Sequence, residues 1–126
     1  MRRDWDTIRK ILIETEELAP GHRLFPSQKR TVQTDDEIVT VEKAEHMYLL
    51  WSNGFVEGAC VRDLNGGLHI WTNRLTWKGH ELIDSIRDEG VWRRVQGKLS
   101  EVSGAVTLAV LCDLAAHAAR EVLALK

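Results

Sequence analysis

Phe55–Asp88, FVEGACVRDLNGGLHIWTNRLTWKGHELIDSIRD, is the stretch that decides the fold. Phe55–Arg62 and Leu68–Asn73 read as the two strands of a β-hairpin. The turn between them, Asp63–Gly67, supplies the glycines that positive φ angles require. Leu75-Thr76-Trp77-Lys78-Gly79 then leads into a helix over Trp77–Asp88. Thr76 is its N-cap, and Gly79 lets the helix approach the hairpin closely. Leu82, Ile83 and Ile86 give that helix its apolar stripe. A helix ending in Asn53-Gly54 precedes the hairpin. Helix, hairpin, helix in this order is the back half of a winged-helix domain, so the predicted class is α+β with a winged-helix-like core.

Upstream, Val41–Ser52 (VEKAEHMYLLWS) reads as a helix with Thr40 as N-cap. Ala44, Met47, Tyr48 and Trp51 mark its buried face, which leaves Glu42, Lys43, Glu45 and Ser52 outside. The β-branched residues Val32, Ile38, Val39 and Val41, broken by Asp35-Asp36, predict a turn and a short strand over Thr31–Val41. Gly21–Asp36 is the least organised part. Asp4–Leu18 reads as the first helix, capped by Asp4, with Trp5, Ile8, Ile11, Leu12 and Leu18 inward. It must stop by Pro20-Gly21.

Downstream, Gly90 breaks the chain, and Val91–Leu99 is a short helix with Trp92, Val95 and Leu99 inward. The last helix runs over about Ser103–Leu125. Its polar residues Asp113, His117, Arg120 and Glu121 form one narrow stripe. A helix apolar over most of its circumference needs more than one partner surface, so a homodimer through this helix is expected. The predicted organisation is a winged-helix-like domain over residues 1–89 and a C-terminal helical extension over residues 90–126.

The chain has 126 residues, 44% hydrophobic and 29% charged, enough for one ordinary core. Its five Trp are spread along the sequence, as suits one shared core. Cys60 and Cys112 lie far apart in apolar neighbourhoods, which predicts free thiols in a reducing compartment. MRRDWDTIRK offers no apolar segment of a signal peptide. Gly104–Ala119 is too short to span a bilayer and is interrupted by Asp113 and His117. The expectation is a cytoplasmic protein with no membrane partner.

No catalytic residue, metal site or cofactor is predicted. The five His have no metal-ligand spacing with one another or with Cys. No nucleophile-elbow, P-loop or dinucleotide-binding glycine pattern occurs, and Gly66-Gly67 belongs to a hairpin turn.

Charge is distributed unevenly. Residues 1–34 carry seven Lys/Arg against five Asp/Glu, residues 35–63 two against seven, and residues 64–126 eight against seven. The acidic block covers the helix that would enter DNA. A reader of base edges needs Arg, Lys, Asn or Gln backed by phosphate-binding cations. Val41–Ser52 instead presents Glu42, Lys43, Glu45 and His46. The candidate nucleic-acid contacts are Lys43, Arg62, Arg74 and Lys78. The candidate protein-docking residues are Asp35, Asp36, Glu37, Glu42 and Glu45. Short basic clusters stand at Arg2-Arg3, Lys29-Arg30 and Arg93-Arg94 with Lys98.

Three pieces of the chain resemble the domain-of-unknown-function family numbered 2513, found in bacteria and their prophages. Met1-Arg2-Arg3-Asp4-Trp5-Asp6-Thr7-Ile8-Arg9-Lys10-Ile11-Leu12 is similar to its M-x-R-D-x-D-L-I-R-x-I-L start. His46-Met47-Tyr48-Leu49-Leu50 and Gly54-Phe55-Val56-Glu57-Gly58 are similar to its H-x-x-L-L and G-L-I-E-G segments. Leu75–Asp88 with Trp92 is similar to its L-T-W-x-G-H-E-F-L-D-x-I-R-D and W. The resemblance implies a winged-helix-like fold and a mobile-element setting, and no assigned activity. The sequence differs from the pattern in the acidic Glu42–Glu45 and the Ala-rich last helix. Two functions stay open: a small DNA-associated regulator of phage or prophage type, and a docking adaptor or inhibitor that uses the acidic face of residues 35–57.

Overall fold

The computed structural model describes residues 4–26, 35–101 and 108–124. The elements are α1 (Trp5–Glu16), α2 (Asp35–Ser52), β1 (Val56–Arg62), β2 (Leu68–Leu75), α3 (Trp77–Ile86), α4 (Glu89–Glu101) and α5 (Leu108–Ala124). Among the described residues, five helices and a two-stranded antiparallel hairpin make an α+β fold, and the helix–hairpin–helix layout is compatible with a winged-helix-like class. The chain divides into two compact units, Met1–Gly79 and His80–Lys126.

In the first unit, Asp4 caps α1 as its sequence suggests. Its carboxylate accepts the Asp6 N–H at 3.0 Å and the Thr7 N–H at 3.4 Å. Ile8, Ile11 and Leu12 are fully buried, each contributing about 2–3 kcal/mol of burial free energy. Thr15 continues the same face, and its hydroxyl meets that of Thr72 on β2 at 3.0 Å in the core.

The second helix is longer than its sequence suggests. Asp35–Val41 is helical and contains no strand, so the expected strand is overturned for those residues. Thr31–Thr34 lie outside the described residues. The physical reason is that Ile38, Val39 and Val41 each disfavour a helix by only a few tenths of a kcal/mol, while a helix already fixed by the packing of Ala44, Met47 and Leu50 extends at little cost.

The buried phase of α2 also differs from the expected one. Ala44, Met47 and Leu50 enter the core as a stripe at spacings of three, and His46 is buried beside them. Tyr48 is only half-buried, and Trp51 is exposed. Apolar residues surround this helix on most sides, so periodicity alone does not fix its phase. His46 tolerates burial because both ring nitrogens have partners: Nε2 accepts the Asp4 N–H at 2.8 Å, and Nδ1 lies 2.6 Å from the Glu42 carbonyl.

The hairpin pairs Val56 with Leu75 and Arg62 with Leu68, with a bulge between Glu57 and Gly58. Gly66 turns it at a φ of 82°. A further short pairing comes from the segment read as unorganised. Leu24 and Thr72 exchange backbone hydrogen bonds of 2.7 and 3.0 Å. Thr76 joins the hairpin to α3: its hydroxyl donates to the Gly54 carbonyl at 2.6 Å and accepts the Gly79 N–H at 3.2 Å. A side chain at residue 79 would collide with the Phe55 carbonyl oxygen, which explains the glycine.

The second unit holds most of α3 with α4 and α5. Asp88 caps α4, its carboxylate accepting the Val91 N–H at 3.0 Å. Val91, Trp92 and Val95 form the buried face of α4, and Leu111, Ala115 and Ala118 that of α5. The five tryptophans do not share one core. Trp92 is buried, Trp5 and Trp71 are half-buried, and Trp51 and Trp77 are exposed. Among the described residues no helix is long and apolar enough to cross a membrane. Cys60 and Cys112 are half-buried thiols with no disulfide.

Candidate functional site

Each of the four candidate DNA-contacting cations is engaged by its own chain. Lys43, with 23% of its side chain exposed, turns back to α1 and pairs with Glu14 at 3.1 Å. Arg62 pairs with Glu45 at 3.3 Å and lies 5.3 Å over the Tyr48 ring. The hydrogen bonds and charge of Glu45 raise the Arg62 pKa and hold it protonated. Arg74 pairs with Glu57, which faces it directly across the hairpin. Lys78 donates to the Asn53 carbonyl at 3.3 Å and sits 4.5 Å over the Phe55 ring.

Nor do these cations converge. Arg62 and Arg74 mark opposite ends of the hairpin ladder. At ~3.4 Å per residue, that separates them by about 17 Å along the strands. Lys29, Arg30, Arg2 and Arg3 lie outside the described residues. Arg94 and Lys98 are held in the second unit by Glu121, at 3.6 and 3.7 Å, which also takes His117 at 2.8 Å. Glu121, the last member of the polar stripe on α5, therefore serves α4.

The candidate docking residues share one helix. Asp35, Asp36 and Glu37 are the first described residues of α2. Glu42 is exposed further along, and Glu45 carries Arg62. Beside them stands a surface that sequence reasoning assigned to the core. Tyr48 and Trp51 form a tilted ring pair with centroids 6.1 Å apart, and Trp51 is 36% and Val41 57% exposed. The seven-residue interval from Val41 to Tyr48 is the signal that could have placed these two on one outer face.

The hairpin tip is closed by hydrogen bonds of its own. Asp63 Oδ1 accepts the backbone N–H groups of Asn65 at 2.9 Å and Gly67 at 2.8 Å, and Oδ2 lies 3.1 Å from His69 Nε2. The Gly67 bond, then the His69 side chain, hold this carboxyl below the usual carboxylate range. Leu64 projects fully exposed from the turn. A cleft of about 400 Å³ lies between Phe25–Pro26 and the hairpin residues Val61 and Trp71.

An α+β protein of helix–hairpin–helix layout, with an acidic, aromatic helix face, is the class these features define. Residues 2–105 match the family described as "Hypothetical protein (DUF2513)", and the chain belongs to that family. It is also similar to a protein of Haemophilus influenzae described as "Uncharacterized protein", with 34% identity over 104 residues that cover 82% of each chain. No solved structure matches the chain.

Proposed function

We propose that this chain is a small non-enzymatic docking protein that binds a partner protein through the outward face of α2. The observation that carries the proposal is the engagement of Lys43, Arg62, Arg74 and Lys78 by the chain's own acceptors and rings. Duplex binding depends on cations that displace the counterions of phosphates. Here each such cation first has to leave an internal partner. The exposed Val41 and Trp51 of α2 provide apolar area for a protein contact.

The competing reading is a DNA-associated regulator of phage or prophage type. Its support is the layout and the exposure of Arg74, whose side chain is 72% accessible and whose ion pair costs little to exchange. Anisotropy of labelled random-sequence duplex at ~50 mM salt, where phosphate contacts are strongest, separates the two. No binding is expected, and saturable binding there would overturn the docking reading.

A cytoplasmic setting and homodimerisation through α5 belong to the same proposal. Ala109 is exposed, and Leu114, Ala116 and Ala119 are half-buried, leaving apolar area on α5 for a second copy. Sedimentation at micromolar concentration is expected to show a dimer. A monomer at every concentration would remove that part of the proposal and leave the rest intact.

A further inference from the structure

Resting on the docking reading, we infer that the partner presents arginine side chains, and that Glu45, Tyr48 and Trp51 of α2 form a guanidinium-binding surface. The chain carries its own example of the ligand. The Arg62 guanidinium stacks over the Tyr48 ring at 5.3 Å while its two terminal nitrogens reach the Glu45 carboxylate at 3.3–3.4 Å. A carboxylate edge beside an aromatic face is the environment that suits a planar, weakly hydrated cation. The Arg62 pair is exposed and its hydrogen bonds are long, so a second guanidinium can share or replace it at small cost.

The neighbouring groups extend that environment beyond Arg62. Trp51 offers a second exposed ring 6.1 Å from Tyr48. Glu42 stands one turn before Glu45 on the exposed side. Helix α2 carries five acidic residues, Asp35, Asp36, Glu37, Glu42 and Glu45, against the single base Lys43, which Glu14 already takes. Charge complementarity therefore selects a basic segment. Exposed Val41 and Trp51 suit the methylene stems that arginines lay along apolar surface. Phosphate, by contrast, would meet carboxylates here.

The test is anisotropy of fluorescein-labelled octa-arginine with the full chain at ~50 and ~150 mM salt. Glu45→Gln and Trp51→Ala should each weaken binding about fivefold, the loss of one charge-assisted or cation–ring contact. Asp113→Asn, which removes an exposed carboxylate from α5, should leave it within twofold or so. Arg62→Ala should tighten binding more than Arg93→Ala does, although each frees one exposed carboxylate, Glu45 or Glu89. Glu42→Gln gives a second reading of the surface if Trp51→Ala fails to fold. The inference is overturned if the wild-type chain does not bind octa-arginine. Equal effects of Glu45→Gln and Asp113→Asn, or of Arg62→Ala and Arg93→Ala, overturn it as well. If neither the peptide nor duplex DNA binds, the inference alone falls. If duplex binds and the peptide does not, the docking reading falls with it.

Discussion

His46 ties the second helix to the start of the first: its Nε2 accepts the Asp4 N–H across 2.8 Å. The other nitrogen, Nδ1, lies 2.6 Å from the Glu42 carbonyl, which can only accept. The ring is therefore a neutral imidazole with its proton on Nδ1. His46→Leu keeps the volume and removes both contacts. It should lower stability by about 1–2 kcal/mol, because a part-buried backbone N–H loses its acceptor. Urea unfolding of the full chain checks this. A loss below about 0.5 kcal/mol would place the Asp4 N–H in contact with water instead.

Thr15 and Thr72 form a closed hydroxyl pair in the core. Replacement of either by Val should cost about 1–2 kcal/mol, since the remaining hydroxyl is stranded. The double replacement should recover most of that loss. A double-mutant cycle by urea unfolding reads the coupling directly, and strict additivity would show that the two hydroxyls do not depend on each other.

Two glycines should respond in opposite directions. Gly79→Ala places a methyl group against the Phe55 carbonyl, and Thr76 ties the same turn to the Gly54 carbonyl. A loss of about 2–3 kcal/mol is expected. Gly97 lies inside α4, with open space where an added methyl group would stand, so Gly97→Ala should gain about 0.5–1 kcal/mol. Thermal unfolding of the two variants side by side tests both signs.

Asp63 makes the hairpin tip sensitive to acid. Its pKa is lowered in the folded chain by the Gly67 N–H and by His69. A depressed carboxylate contributes stability above its unfolded pKa of about 3.9 and loses it as pH falls through the folded value. The Gly67 amide should therefore lose protection, relative to the intrinsic exchange rate at each pH, below about pH 4, and Asp63→Asn should remove that pH dependence. A protection factor that does not change with acid would rule out the carboxylate as the latch of the turn.

The hairpin and the helix after it were legible because their determinants are local. Gly66, Thr76 and Gly79 each act on residues that the strand and helix patterns already place beside them. The start of α2 was not, because Ile38, Val39 and Val41 favour a strand by themselves and yield only to the packed helix that follows them. The charge pairing of the candidate site was mostly hidden. Lys43 and Glu14 lie 29 residues apart on two helices. Arg74 and Glu57 are the exception, since the hairpin register alone sets them face to face.

The Leu24–Thr72 bridge bears on synthesis. A nascent chain emerges from the ribosome N-terminus first, and α1 is exposed early. Yet the segment after α1 finds its backbone partner only at Thr72, and Thr15 finds its hydroxyl partner at the same residue. The first helix consequently waits, with these contacts unmade, until β2 has left the exit tunnel. Stalling translation while β2 is still inside the exit tunnel should leave the earlier segment open to proteases, and stalling after β2 has cleared it should close that segment.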